Sequence, residues 1–147
     1  MMNLVLGVGN EENGDDGVGP FIAENIDFPG WKGVNCSVSP ENYTGVVQQE
    51  KPEFLVIVDA TEMDLKPGEF RLIPRSRIDE LAISTHYMPL SILMRYLSES
   101  ARYVVFIGVQ PKQRDGELSK EVRESAYRLL EYFKQGRLDK IKKLESD

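Results

Sequence analysis

The chain is poor in several residues whose number bounds its chemistry. Among 147 residues there is one cysteine, Cys36, so no internal disulfide can form. A reducing cytosol is the compartment that fits best, and a cytoplasmic protein is expected. No stretch comes near the about 18 consecutive apolar residues of a transmembrane helix, so membrane insertion is not expected. A basic leader followed by an apolar core is also missing, so no signal peptide is expected. Positive charge is in deficit, with 18 Lys and Arg against 24 Asp and Glu and a formal net charge of −6. That argues against a nucleic-acid surface or an anionic membrane as the main partner. Histidine occurs once, as His86. The zinc-protease pattern HExxH is therefore absent.

What is present is ordinary globular material, 41% hydrophobic and 29% charged. The length suits one domain, expected over 1–134, with 135–147 a charged tail that extends the last helix or frays. The runs LVLGV (4–8), VNCSV (34–38), FLVIVDA (54–60) and YVVFIGV (103–109) read as strands, three of them continuously apolar. EFRLIP (69–74) alternates and reads as an edge or half-exposed strand. Val18, Phe21, Ile22 and Ile26 recur at helical spacing, and Pro20 confines the helix start to about Val18 or Gly19. NYTGVVQQEK reads as a weak helix stopped before Pro52. Leu90, Leu93, Met94 and Leu97 share one helical face after Pro89. Val122, Ala126, Leu129, Leu130 and Phe133 share another, with Ser119 as N-cap. Strands alternating with helices predict an α/β, three-layer architecture: a mostly parallel twisted sheet of about five strands with helices on both faces.

The segment GVGNEENGDDGVGP (7–20) follows the first strand and carries Glu11, Glu12, Asp15 and Asp16 among five glycines. A dinucleotide fingerprint fails because Glu12 stands where the third glycine belongs, and its carboxylates would repel a pyrophosphate. No Gly-Lys-Ser/Thr follows, so it is not a P-loop. A calcium loop begun at Glu12 puts Gly14 at a ligand position and Ala23 in place of the closing glutamate. Two uses remain for Asp15 or Asp16: a charge at a helix start, or a ligand for a cation. Asp59 ends the strand FLVIVD, and ligands in open α/β sheets bind beyond the carboxyl ends of strands. His86 lies in STHYMP, just before the helix at Pro89. Two carboxylates and an imidazole suit a divalent transition metal with an open position.

In this order, GVGNEENGDDGVGP, IVDATEMDLKPGE (57–69), STHYMPL (84–90) and FIGVQP (106–111) resemble the [NiFe]-hydrogenase maturation endopeptidases. The resemblance covers residues 3 to about 133. SPEN (39–42), DATEMDLKPGE and THYMP bring it nearest to the subgroup serving formate-hydrogenlyase-type hydrogenases. It implies an endopeptidase that removes the C-terminal extension of a hydrogenase large-subunit precursor after nickel insertion. It also implies that Asp16, Asp59 and His86 are the metal-facing, catalytic residues. Asp16, rather than Asp15, is selected by this match alone. The metal would be nickel carried by the substrate, with another divalent ion such as zinc or cadmium able to take the place in vitro. Where many relatives have Gly-Gly after the second strand, this chain has Cys36 and Ser37.

On this reading the precursor's nickel is the recognition element, and docking on it positions the scissile peptide. A variant makes the metal itself the generator of hydroxide. From another class, the chain could be a non-catalytic, nickel-dependent chaperone of the large subunit; a nucleotide-binding domain is a third possibility. Cys36 reads as a small buried strand residue. Gln110, at the end of the last apolar strand, faces the same rim as a substrate contact or a turn residue. Asn10 is expected to brace the first loop.

Overall fold

A computed structural model describes residues 2–82 and 88–145. Five strands form one sheet: β1 (Asn3–Val8), β2 (Trp31–Ser37), β3 (Phe54–Ala60), β4 (Phe70–Leu72) and β5 (Tyr103–Val109). Their spatial order is β2-β1-β3-β5-β4. Neighbours are parallel except β4, which runs antiparallel along β5. The helices are α1 (Val18–Glu24), α2 (Thr44–Glu50), α3 (Arg75–Leu81), α4 (Leu90–Leu97) and α5 (Lys120–Lys134).

The apolar strands are buried on both faces because helices cover both. Alternate residues divide between two cores. Leu4, Leu6, Leu55, Ile57 and Phe106 pack with Val47 of α2, Ile78 of α3 and Leu90, Leu93, Met94 and Leu97 of α4. Val5, Val56, Val58 and Ile107 pack with Val18 and Ile22 of α1 and Val122, Ala126, Leu129 and Phe133 of α5. The expected α/β three-layer arrangement is thus the one found, with EFRLIP supplying a three-residue antiparallel edge. The single tryptophan is packing material, its ring stacked on Phe133 at 5.0 Å. The short helix α3 gave no periodic signal of its own, since seven residues with Ile78 and Leu81 buried are too few.

The tail differs from the expectation of an extended or frayed helix. α5 stops at Lys134, and a 3-10 turn follows over Leu138–Lys140. The chain then runs alongside β4: Leu72 donates its N–H to the Lys142 carbonyl at 2.8 Å, and Leu144 donates to the Leu72 carbonyl at 2.9 Å. Ile141 is buried behind it. Gly136, at φ 68°, makes the reversal possible, so β4 gains a partner on its outer edge.

The strand order decides where a ligand can bind. From β1 the chain moves outward to β2 and then returns past β1 to β3. α1 and α2 accordingly lie on opposite faces of the sheet. The gap between the carboxyl ends of β1 and β3 is therefore the topological switch point, where open α/β sheets place their ligands.

Candidate active site

Asp16 and Asp59 stand at that gap. β1 and β3 are paired up to Gly7 and Val58, so the next residues are Val8 and Asp59. A 3-10 turn, Gly14–Gly17, carries Asp16 immediately beyond β1 and packs against β3. Glycine is what lets this turn close. A Cβ on Gly9, at φ 150°, would lie 1.8 Å from the Asp16 carbonyl oxygen. A Cβ on Gly19 would lie 2.4 Å from the Val8 carbonyl and 2.5 Å from that of Val58. The start of α1 thus rests directly on the ends of both strands. The glycines of the loop serve close packing rather than phosphate.

The two carboxylates are both buried in different settings. Asp59 is fully buried, and its Oδ1 accepts the Ala60 N–H at 2.8 Å. Asp16 is 7% exposed, and its Oδ1 accepts no hydrogen bond among the described residues. The nearest cation is Arg114, whose Nε stands 3.6 Å from that oxygen. Burial pushes the Asp16 carboxyl above the usual range; Arg114 pulls it down and the neighbouring Asp15 pushes it further up. A buried carboxylate oxygen without a donor is an expensive feature to maintain for structure alone. His86, the third expected member, lies outside the described residues. The chain leading to it is placed, however: Ala82 bridges to Thr61, two residues past Asp59.

Asp15 lies in the first turn of the 3-10 helix, as a helix-start charge would, but its carboxylate has a further role that the sequence did not suggest. It is completely buried and serves as an anchor. Oδ2 accepts the backbone N–H groups of Lys112 and Gln113 at 2.8 and 3.0 Å and the Ser119 hydroxyl at 2.8 Å. Oδ1 accepts the Ser119 N–H at 2.7 Å. Asp15 therefore ties the 112–119 loop, with Arg114 in it, over the Asp16 turn. No local signal marked this role, since the donors lie about 100 residues further along the chain. Glu11 and Glu24 both accept from Asn35, at 2.5 and 3.1 Å, at the exposed margin. Asn10 braces the loop as expected, its Oδ1 accepting the Glu12 N–H at 2.9 Å.

Gln110 is buried rather than turned toward a substrate. Its Oε1 accepts from the Met63 and Leu65 amides at 2.8 and 3.2 Å, and its Nε2 donates to Glu62. It fixes the loop that follows Asp59. Cys36 is fully buried, and burial above all, with Glu41 adding to it, pushes its thiol up to about 12. A thiol so protonated at neutral pH is no nucleophile. The rim of β2 bends nearby: the β1–β2 register shifts after Gly7, and Ser37 takes φ 50°, a conformation that favours glycine. Gly-Gly at that place would adopt the same bend without strain.

Among the described residues no three His, Cys, Asp or Glu side chains are grouped to hold a metal. Asp16 and Asp59 by themselves offer oxygen donors and leave most of a metal's coordination sphere to other ligands.

A family model described as HycI: Hydrogenase maturation protease matches residues 21–135. The chain belongs to the hydrogenase maturation protease family. It is accordingly a hydrolase acting on a peptide bond. The Hydrogenase 3 maturation protease of Escherichia coli K12 is 40% identical over 115 residues, covering 76% of this chain and 74% of that protein. The solution structure of the endopeptidase HycI from Escherichia coli superposes with a TM-score of 0.87 at 31% identity, over 99% of this chain and 97% of that one. The [NiFe] hydrogenase maturation protease HycI of Thermococcus kodakarensis KOD1 gives 0.79 at 32% identity, with 92% of each chain covered. The matched family span contains Asp59 and the segment bearing His86, while the Asp16 turn precedes it.

Proposed function

We propose that this maturation protease removes the C-terminal extension of a [NiFe]-hydrogenase large-subunit precursor once nickel has been inserted. In this reading nickel is part of the substrate, held by the precursor's own ligands. Asp16, Asp59 and His86 complete its coordination from the protease side, and so bring the scissile peptide to the rim between β1 and β3. The observation that supports this most directly is the buried Oδ1 of Asp16, which accepts no hydrogen bond among the described residues, in a turn that packs on β3, the strand whose carboxyl end carries the buried Asp59. Such oxygens are set for a cation and are wrong for a phosphate or a nucleotide. The same carboxylates can accept a proton from, and orient, the attacking water. No cysteine nucleophile competes with this scheme, since the Cys36 thiol stays protonated.

No described helix is long and apolar enough to cross a membrane. The lone, buried thiol suits a reducing compartment, and we place the reaction in the cytoplasm.

The test is cleavage of purified precursor followed by intact-mass spectrometry, with nickel-loaded and nickel-free precursor in parallel. Shortening of the loaded form by metal-free protease is expected, with none of the nickel-free form even after zinc is added to the protease. Asp16→Asn and Asp59→Asn are expected to lower kcat/KM by about 10²–10⁴-fold. Cleavage of nickel-free precursor by zinc-loaded protease alone would overturn the substrate-metal reading. Binding without any shortening would favour the chaperone.

A further inference from the structure

We propose that the edge formed by β4 and the C-terminal segment is a docking surface for an acidic, extended stretch of the protein substrate carrying an apolar side chain. The proposal deepens the function above and rests on the precursor being that substrate.

The charge distribution carries the argument. Three adjoining depressions run along this edge. The first is lined by Arg71, Arg128, Lys140 and Lys142 around Phe70 and Tyr132. The second has Arg71, Arg77, Lys142 and Lys143 around Leu65 and Leu144. The third is an apolar hollow of about 380 Å³ over Ile73, Ile78, Met94 and Phe106, flanked by Arg75 and Lys143. Together they hold seven of the chain's 18 basic residues and only two of its 24 acidic ones, Glu69 and Glu145. With Glu80, which pairs with Arg77, also counted, a chain of net charge −6 has collected a cationic margin of about +4, leaving everything else at about −10.

Neutralisation within the chain is incomplete. Arg71 pairs with Glu69 at 3.1 Å and Arg77 with Glu80 at 2.9 Å. Arg75, Lys140, Lys142 and Lys143 make no ion pair among the described residues, and Arg128 lies over the Phe70 ring at 5.9 Å. The lysines are presented by an anchored segment. The Leu72 bonds to Lys142 and Leu144, with Ile141 buried, hold the backbone of 141–144 in place. Like charges fixed side by side repel one another, and an opposite charge laid across them relieves that repulsion.

The occupant follows from the mixture of lining groups. Nucleic acid and anionic membrane ask for a broad cationic face, whereas here Arg75 and Lys143 flank an apolar hollow that can take up a side chain. One end of the edge also comes near the active site. Leu65 of the second depression belongs to the Gln110-held loop that follows β3, six residues and at most about 20 Å of chain from Asp59. Carboxylates of the precursor on this edge would hold it while its nickel meets Asp16 and Asp59.

The experiment uses the full-length double variant Lys142→Glu/Lys143→Glu, the single variant Arg75→Glu, and the conservative Lys142→Arg/Lys143→Arg. With nickel-loaded precursor, KM is expected to rise about tenfold or more in both reversal variants with kcat within about twofold. The wild-type kcat/KM is expected to fall steeply with salt and that of the reversal variants less so, and the arginine variant should behave as wild type. In parallel, a fluorescein-labelled peptide of leucine flanked by glutamates, a single-stranded RNA 12-mer and phosphatidylglycerol vesicles are titrated against wild type and variants. Peptide binding that the reversals abolish supports the proposal. Unchanged KM and salt dependence overturn it, as does tighter binding of RNA or vesicles than of peptide. If wild type leaves the precursor uncleaved, the proposed function fails, and the peptide titration alone decides the docking edge.

Discussion

Asp15 and Asp16 are adjacent carboxylates in one turn, yet the structure gives them opposite thermodynamic roles. Replacing Asp15 by alanine removes the acceptor for the Lys112, Gln113 and Ser119 N–H groups and for the Ser119 hydroxyl. After truncation water reaches the Lys112 and Gln113 amides, which sit in partly buried surroundings, at a cost of about 1 kcal/mol each. The Ser119 amide is buried, and leaving it unpaired costs about 2 kcal/mol. Relief of a buried carboxylate returns about 1 kcal/mol, so the net loss is about 3 kcal/mol. For a domain of this size that lowers Tm by about 6–12 °C. Urea unfolding followed by circular dichroism measures it directly. The 112–119 loop should also become faster in amide exchange while the β3 amides stay slow. A loss below about 1 kcal/mol, or a loop no less protected than in wild type, would refute the view that Asp15 is the anchor of this loop.

The other consequences concern neighbouring residues. Burial raises the folded-state pKa of Asp16 above its unfolded value, so the ionised carboxylate costs stability once the pH exceeds the unfolded value. Asp16→Asn should therefore be more stable than wild type at pH 7 while losing processing, and the gain should shrink as the pH falls and vanish below about pH 3, where both states are protonated; urea midpoints across pH would show it. Gly19→Ala drives a methyl into the Val8 and Val58 carbonyls and should cost about 3 kcal/mol or prevent folding, as a thermal melt would reveal. Gln110→Ala leaves the Met63 and Leu65 amides without their acceptor and should cost about 2 kcal/mol, with kcat falling because the loop after Asp59 loosens. Cys36 should react with a thiol reagent only after unfolding, its labelling rate in native buffer tracking the unfolded fraction.

Much of the architecture was readable in the order of residues. LVLGV, FLVIVDA and YVVFIGV carry apolar side chains on both faces, which only a sheet covered on both sides can bury. The α4 and α5 stripes reported their buried faces residue by residue, because a 3.6-residue period survives without any knowledge of what the face meets. Segment 75–81 and the tail were harder. α3 is too short to show a period, and the path of 138–145 depends on an open edge of β4 that local sequence does not encode. Asp15 was missed as an anchor for a related reason. Its four donors lie about 100 residues further along the chain, and no local pattern reports a partner at that distance.

By itself the sequence determined that a carboxylate-bearing glycine turn follows one buried strand, and that an aspartate ends another. Those are local properties, set by side-chain type and strand length. The strand order β2-β1-β3-β5-β4 decided that these two strands are neighbours and that the chain reverses between them. Only this reversal opens a gap, since helices leaving to opposite faces cannot both fill it. The same order left β4 at an edge, where the returning tail could cover it and display its lysines. Which acid is held by backbone amides and which is left facing the gap is likewise a long-range outcome. It depends on where the 112–119 loop lands, and packing alone sets that.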